Sequence, residues 1–473
     1  MDFILNLFYR KNWLLAILFW CITAFVSGQN ISYFDTTWTN YFRLNSGGWT
    51  AGDATISIPL PDSRVIWLFG DSYTNNVDTT NNTLPCLFQV RNCYMVQDSV
   101  NRNRFKTILD TTMTGVNRTT FKIVPNDTTL LWPGHGYVDH DTVYIFTERY
   151  HSTTLAYLGC YVVKLHLPDL HQVGIYPVHD NGPNSIYGRA VIADTNTGYL
   201  YIYGNRLNWI VWEPVVARCS LSNPLLPWEY YTGSGWSWFP EQAQKISSDP
   251  VSPGFSVMKQ NGNYYLITQE NGYLECGLGR EMYSYQSHTP WGPFTNQNLL
   301  YTEESKFNGA YLLTYNAQAH PFFTENNELL LSYNVNDRVD TLAPNICPSE
   351  CRHIWTDRMD ADCYRPKFVR IPMDMITGTG TELTGRINLP ELRLHPDPVK
   401  EGATFTCEIV LKDSGSNEIA ISDMYGRIIF RRILLLGKGR NIFILNAPMQ
   451  KGIYLVSIKN GQGCSKTVRL AVD

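Results

Sequence analysis

The stretch VIWLFGD, Val65 to Asp71, runs five apolar residues straight into Gly70 and Asp71 with no polar step between. A run this short, made of β-branched and aromatic residues and stopped by glycine, reads as a buried strand. Four other stretches stack on it without gaps: TVYIFTE (142–148), YLYIYGN (199–205), NYYLITQ (263–269) and ELLLSYN (328–334). Their last column is Asp71, Glu148, Asn205, Gln269 and Asn334. Each is preceded, across a short polar turn, by a second run: GDATISI from 52, GHGYV from 134, GRAVIA from 188, GFSVM from 254 and AHPFF from 319. The second column of these runs is Asp53, His135, Arg189, Phe255 and His320, with Ser256 beside the phenylalanine. A hairpin recurring five times at intervals of roughly 55 to 80 residues leaves room for two more strands per unit. The expected class is therefore all-β, a five-bladed β-propeller followed by a small C-terminal β-sandwich.

Hairpin strands are antiparallel, so the start of the first and the end of the second lie at one end of a blade. If the first strand of each blade lines the channel, both polar columns open on one face. Turn chemistry accounts for Asp or Asn after a strand, but not for Glu148 and Gln269, nor for His135, Arg189 and His320. A pocket at the propeller mouth accounts for all of them. Carboxyl groups converging on such a pocket are candidates for acid and base chemistry. The candidates are Asp53, Asp71, Glu148 and, one step past the column, Glu270, with either glutamate open as the acid. Walls from Trp132, Tyr187 and Phe255 and a neighbouring carboxylate would raise the acid's pKa. His135, Tyr187, Arg189, Asn205, Phe255, Ser256, Gln269, His320 and Asn334 are the expected substrate contacts. No cofactor is expected, though the channel leaves room for a structural ion.

Composition limits the alternatives. The chain has 473 residues, 44% hydrophobic and 17% charged, with a formal net charge of −4 and no basic run. That excludes the electrostatic footprint of a nucleic-acid-binding protein. No CxxC pair or closely spaced histidine cluster has zinc-finger spacing, so no zinc site is expected. Arg10 and Lys11 precede the apolar run NWLLAILFWCITAFV, and VSG ends it with small residues, which reads as a signal peptide over residues 1–28. No later segment is apolar enough to span a bilayer as a helix. Export permits disulfides, with Cys86–Cys93 or two of Cys347, Cys351 and Cys363 as local candidates. Cys160, Cys219 and Cys276, in apolar strands, read as buried free thiols.

The propeller is expected to fill residues 29–385. Its last blade is interrupted at 335–365 by a long polar segment with three cysteines, expected beside the pocket mouth, and CYRPKFVRIPM then closes the ring. After DMITGTGTELTG the composition changes, and residues 386–473 alternate like a sandwich of about seven strands.

The segments GDATISIPLPDSRVIWLFGDSY, YGRAVIADTNTGYLYIYG, SPGFSVMKQNGNYYLITQE, SYQSHTPWGPF and YNAQAHPFFTENNELLLSYNVN together resemble the DUF4185 and DUF5005 type of bacterial five-bladed propeller. That type is similar to furanosidase-like propeller glycoside hydrolases, some of which cleave D-arabinan. The resemblance covers about residues 45–372. It implies a secreted glycosidase with Asp53 as base or nucleophile, Glu148 or Glu270 as acid, and Asp71 tuning them. The unit 386–473, with HPDPV, ISDMYGRII and GIYLVSIKNGQ, resembles the type A sorting domain of the type IX secretion route of Bacteroidetes. The implied partners are a polysaccharide or oligosaccharide and the type IX machinery, and the implied location is the cell surface or the medium. A non-catalytic glycan-binding propeller is the competing reading, since it needs the same lining without an acid and base pair.

Overall fold

A computed structural model describes residues 31–473 except 112–116, 125–127, 179, 181–184, 209–210, 271–278, 305, 308–309, 337–355, 379–390, 412–413, 424–426 and 461–464. The expected signal peptide and the 385/386 boundary lie outside the described residues.

The five hairpins are the inner halves of five antiparallel sheets. Blade 1 runs Ile56–Pro59, Val65–Phe69, Cys93–Gln97 and Phe105–Ile108; blade 2 runs Thr129–Asp139, Thr142–His151, Tyr157–His166 and His171–Pro177. Blade 3 starts with Ser185–Asp194 and Tyr199–Asn208, and blade 4 with Ser256–Gln260 and Asn263–Gln269. Blade 5 takes Leu313–Glu325, Glu328–Asn336 and Lys367–Pro372 from late in the chain, and its fourth strand is Tyr33–Phe34 from the beginning. The segment containing KFVRIP is thus an interior strand, and the ring is closed by Tyr33 and Phe34 pairing with Arg370 and Val369. The first strands pack in the cyclic order of blades 1, 2, 3, 4, 5 and back to 1.

Alternation along each blade is weak because blades are covered on both faces. Val65–Phe69 is buried at every position, the pattern of a strand between two apolar layers. Between blades 5 and 1 the layer is aromatic: Trp38, Phe42, Trp67, Phe323 and Phe368 pack together. Trp38 arrives there on the short helix Thr36–Tyr41, capped by Asp35 Oδ1 accepting from Trp38 N at 3.0 Å. The other oxygen of Asp35 meets Arg370 Nε at 3.0 Å, tying the cap to the closing strand.

Residues 391–473 fold separately into two sheets, Glu391–His395, Thr404–Leu411 and Gly439–Asn446 against Ile428–Leu436, Gly415–Asp423, Gly452–Asn460 and Ser465–Val472. These are the seven expected sandwich strands, with Phe405, Ile409, Ile421, Val456 and Ile458 in the core.

One cysteine expectation changes. Cys93 is a free, buried thiol, while Cys86 is disulfide-bonded elsewhere, so the Cys86–Cys93 pair is not formed. Cys160 and Cys219 are buried free thiols; Cys276, Cys347 and Cys351 lie outside the described residues.

His320 is fully buried between blades 1 and 5, with Nδ1 2.7 Å from Ser57 Oγ and Nε2 2.8 Å from Ser332 Oγ. Burial, then the charges of His135 and Arg370, push its pKa down to about 3. The unfolded chain therefore takes up the proton first as pH falls. The stability contributed by neutral His320 is complete above about pH 6.5 and is lost toward pH 3, at about 1.4 kcal/mol per pH unit. Urea unfolding at pH 7 and pH 5 should show this slope, and His320→Gln should flatten it.

Candidate active site

The inner strands of four blades carry an irregularity at a similar height. Register shifts separate Pro133 from Gly136 in blade 2, Tyr187 from Ala190 in blade 3 and Tyr315 from Gln318 in blade 5. In blade 1, Asp53 still pairs with the Gly70–Asp71 segment and regular pairing resumes at Ile56 with Leu68. The extra residues are Ala54–Thr55, Gly134–His135, Gly188–Arg189 and Asn316–Ala317. Three of these bulges use left-handed backbone: φ is 96° at Gly188, 54° at Asn316, and 75° and 54° at Ala54 and Thr55. Such conformations are unfavourable for Ala and for β-branched Thr, and they persist where surrounding contacts hold them.

The contacts that hold them are the last column of the repeat. Asp71 Oδ1 accepts from Trp132 Nε1 of blade 2 at 3.0 Å. Glu148 Oε1 lies 2.6 Å from Arg189 Nη1 of blade 3; the approach is an ion contact without good hydrogen-bond alignment, since neither Oε1 nor Arg189 Nε has an aligned partner. Asn205 Nδ2 donates to Pro253 O at 2.7 Å, ahead of the inner strand of blade 4. Gln269 Oε1 accepts from Ala317 N of blade 5 at 2.8 Å. Asn334 Nδ2 donates to Thr55 Oγ1 at 3.0 Å and to Gly52 O at 3.3 Å in blade 1. Every blade thus clasps the next through one side chain, and this column, expected to ring the ligand, is engaged in holding the ring.

Inside the bulges lies a cavity of about 100 Å³ lined by Asp53, Ala54, Ile56, Gly70, Trp132, Pro133, Gly134, Arg189, Gly254, Asn316 and Gln318. Bulge residues of neighbouring blades touch at its rim: a Cβ on Gly134 would overlap Gly188 O, and one on Gly254 would overlap Asn316 Oδ1. Among the expected site residues, Asp53 and Arg189 line the cavity. Asp71 sits behind Gly70, 93% buried and paired with Arg91 Nη1 at 2.9 Å. Glu148 is buried behind Arg189, its other oxygen accepting from Tyr150 OH at 2.8 Å. Glu270 is not among the residues that line the cavity, and its Oε1 accepts from Arg280 N at 2.8 Å.

The remaining expected contacts are interior groups. Tyr187 packs against Trp228 and Tyr230, Phe255 is buried between blades 3 and 4, and Ser256 Oγ accepts from Ala319 N at 3.0 Å. His135 follows the bulge glycine with its pKa pushed down to about 4 by burial, and its Nδ1 has no partner among the described residues. Asn316, Gln318 and Tyr364 escape the sequence reading. The Tyr364 hydroxyl donates to Asp53 Oδ2 at 3.4 Å. It is brought there by the described end of the long polar segment, where Arg358–Asp360 pairs with Thr83–Pro85.

The electrostatics centre on two aspartates. Burial, then the charge of Asp71, holds the Asp53 pKa well above the ordinary carboxylate range. Asp71 is also raised by burial, but the Arg91 charge and the Trp132 and Arg91 hydrogen bonds oppose that shift. Arg91 and Trp132 thus favour the ionised form of Asp71, and the charge on Asp71 favours the protonated form of Asp53. Glu148 is raised by burial against the opposing charge of Arg189.

A model described as a domain of unknown function, DUF5005, matches residues 35–380, and one described as a secretion system C-terminal sorting domain matches residues 393–473. No curated protein matches the chain significantly. Among solved structures, a "putative hydrolase" from Bacteroides ovatus ATCC 8483 is similar with TM-score 0.60 and 20% identity over 76% of this chain and 96% of that one. An α-L-arabinanase of Cellvibrio cellulosa is similar at TM-score 0.36 and 12% identity, over 70% and 98% of the two chains. The first of these supports the fold.

Gly70 is the floor under Asp53: a Cβ there would overlap Asp53 Oδ1. Gly70→Ala is expected to displace that carboxylate at a cost of about 1–3 kcal/mol. Denaturant unfolding with a crystal structure of the variant checks both.

Proposed function

Because the chain belongs to the DUF5005 family, whose model spans residues 35–380, we propose that the propeller is a glycoside hydrolase acting at the Asp53 cavity on an extracellular polysaccharide. The observation that carries this reading is the buried Asp53 carboxyl on a small cavity, with a second buried aspartate, Asp71, behind it and paired with Arg91; burial and that neighbouring charge raise the Asp53 pKa. This pattern assigns acid and base roles within one site. Family resemblance gives Asp53 the role of base or nucleophile; its raised pKa favours that of proton donor. In that role Asp53 gives its proton to the glycosidic oxygen as the bond to the anomeric carbon breaks. Water then adds to that carbon and returns a proton to Asp53. Asp71 keeps its negative charge through Arg91 and Trp132 and stabilises the positive charge developing on the sugar ring. Arg189, Asn316 and Gln318 bond sugar hydroxyls, and Trp132 supplies an apolar wall. The C-terminal sorting domain supports export by the type IX route to the cell surface or medium, after removal of residues 1–28.

One observation favours a second reading, a non-catalytic glycan-binding propeller: of the four candidate carboxyls only Asp53 lines the cavity, whereas hydrolysis usually uses two. Product release from a panel of polysaccharides and aryl furanosides separates the two. A hydrolase should lose at least 100-fold in kcat/KM on Asp53→Asn, and binding without product release would favour the second reading. Removing the Asp71 charge lowers the Asp53 pKa, so Asp53 loses its proton at lower pH. Asp71→Asn should therefore move the alkaline limb of the activity profile to lower pH, and a limb that stays put would remove Asp53 from the donor role.

A further inference from the structure

Far from the cavity, the turn joining the third and fourth strands of blade 2 reads HLPDLH, residues 166–171. It lies at the opposite end of the blade from the clasp, beside the Asp139–Thr142 turn. His166 and His171 are direct cross-strand partners, with ring centroids 4.8 Å apart. The Asp169 carboxylate lies between them: His171 Nδ1 is 2.9 Å from each oxygen, and His166 Nδ1 is 3.4 Å from Oδ1. All three donors fall within 4.8 Å of one another, and among the described residues this is the only such group of three or more His, Cys, Asp or Glu side chains.

We propose that His166, Asp169 and His171 form a binding site for a late first-row divalent cation such as Zn²⁺, with water completing the coordination. Metal bonds of about 2.0–2.2 Å at tetrahedral angles hold neighbouring donors about 3.4 Å apart, so the ion needs only small side-chain adjustments. Two imidazole nitrogens and one carboxylate select zinc, copper or nickel over magnesium and calcium. A second carboxylate is near: Asp141 Oδ2 is 3.8 Å from His166 Nε2, too long for a hydrogen bond as it stands. A carboxylate that closes to hydrogen-bond distance on a ligating histidine fixes the ring and raises its basicity. The turn is preorganised as well. Leu167 N donates to Asp141 O and Leu170 N to His166 O, both at 2.7 Å. Arg64 of blade 1 donates to Pro168 O at 2.6 Å, and Leu170 is buried. The donors themselves are 42–62% exposed, so an ion enters without opening the fold.

The site was invisible to motif reading because its spacing, H-x-x-D-x-H across a hairpin turn, matches no zinc-finger pattern. Its placement gives the ion a structural task, joining the outer strands of blade 2, and no part in chemistry at the cavity.

The test is titration calorimetry of the untagged, mature full-length chain with Zn²⁺, and with Mg²⁺ and Ca²⁺ for comparison. One Zn²⁺ per chain is expected, bound at least about tenfold more tightly than either hard cation. The double variant His166→Ala/His171→Ala should abolish binding while keeping the circular dichroism of the parent, and Asp141→Asn should weaken it about tenfold. X-ray absorption at the zinc edge of the unaltered protein should report two imidazoles with oxygen donors, independently of any variant. Absence of zinc binding, binding unchanged in the double variant, or a coordination shell without histidine would each overturn the proposal and leave the turn as a set of His–Asp ion pairs.

Discussion

The structure depends on one side chain per blade reaching into the next. A propeller has no covalent link between neighbouring blades apart from surface connections, and apolar packing between sheets is tolerant of sliding. A directional bond at the inner edge removes that freedom. Asp71, Glu148, Asn205, Gln269 and Asn334 occupy equivalent positions and make equivalent reaches. Because these groups are buried, losing a partner leaves a desolvated polar atom, which costs more than the bond contributes when made. The ring is therefore fixed in register where the cavity forms.

The bulges convert a repeated frame into an asymmetric site. An extra residue in an inner strand turns the local backbone toward the axis and re-aims the side chains beside it. In blades 2 and 3 the residue after the bulge glycine is His135 or Arg189; in blade 5 Asn316 itself takes the glycine's place at φ 54°. In blade 1 two non-glycine residues accept left-handed backbone directly after Asp53, and Asn334 from blade 5 holds them there. The strained turn and the only candidate carboxyl on the cavity are adjacent, so the energy stored in Ala54 and Thr55 is spent on the position of Asp53. Ring closure by Tyr33–Phe34 supports the same place from outside, since it brings blade 5 against blade 1.

The five-fold hairpin was legible because each second strand is an uninterrupted apolar run ending in a polar group, a pattern that side-chain burial imposes whatever the turn geometry. Asp53 and Arg189 stood out instead as polar residues at the start of the first strands, and both line the cavity. What failed was register. Stacking the first strands from Gly52, Gly134, Gly188, Gly254 and Ala319 is correct in blades 2 to 4, but slips in blades 1 and 5, where Ala54 and Asn316 stand at the bulge in place of glycine. The slip selected His320, which lies deeper and bonds Ser57 and Ser332, and passed over Asn316 and Gln318. The polar column was read as ligand-facing because sequence cannot distinguish a side chain aimed at a ligand from one aimed at the neighbouring blade. Tyr364, brought to Asp53 by pairing between segments over 270 residues apart, carried no local signal.

Two of the clasps are acidic, and their different partners set the charge of the cavity. Asp71 clasps a neutral indole and pairs with Arg91, outside the lining; burial and the charge of Asp71 together raise the pKa of Asp53. Glu148 clasps Arg189, the cation that lines the cavity, and opposes its charge. The lining then presents a buried carboxyl, a guanidinium paired with Glu148, and the amides of Asn316 and Gln318. Such a surface offers many hydrogen bonds and little net field. It suits the hydroxyl-rich, uncharged sugar of the proposed reading better than a phosphate or sulfate, for which an uncompensated arginine would be required.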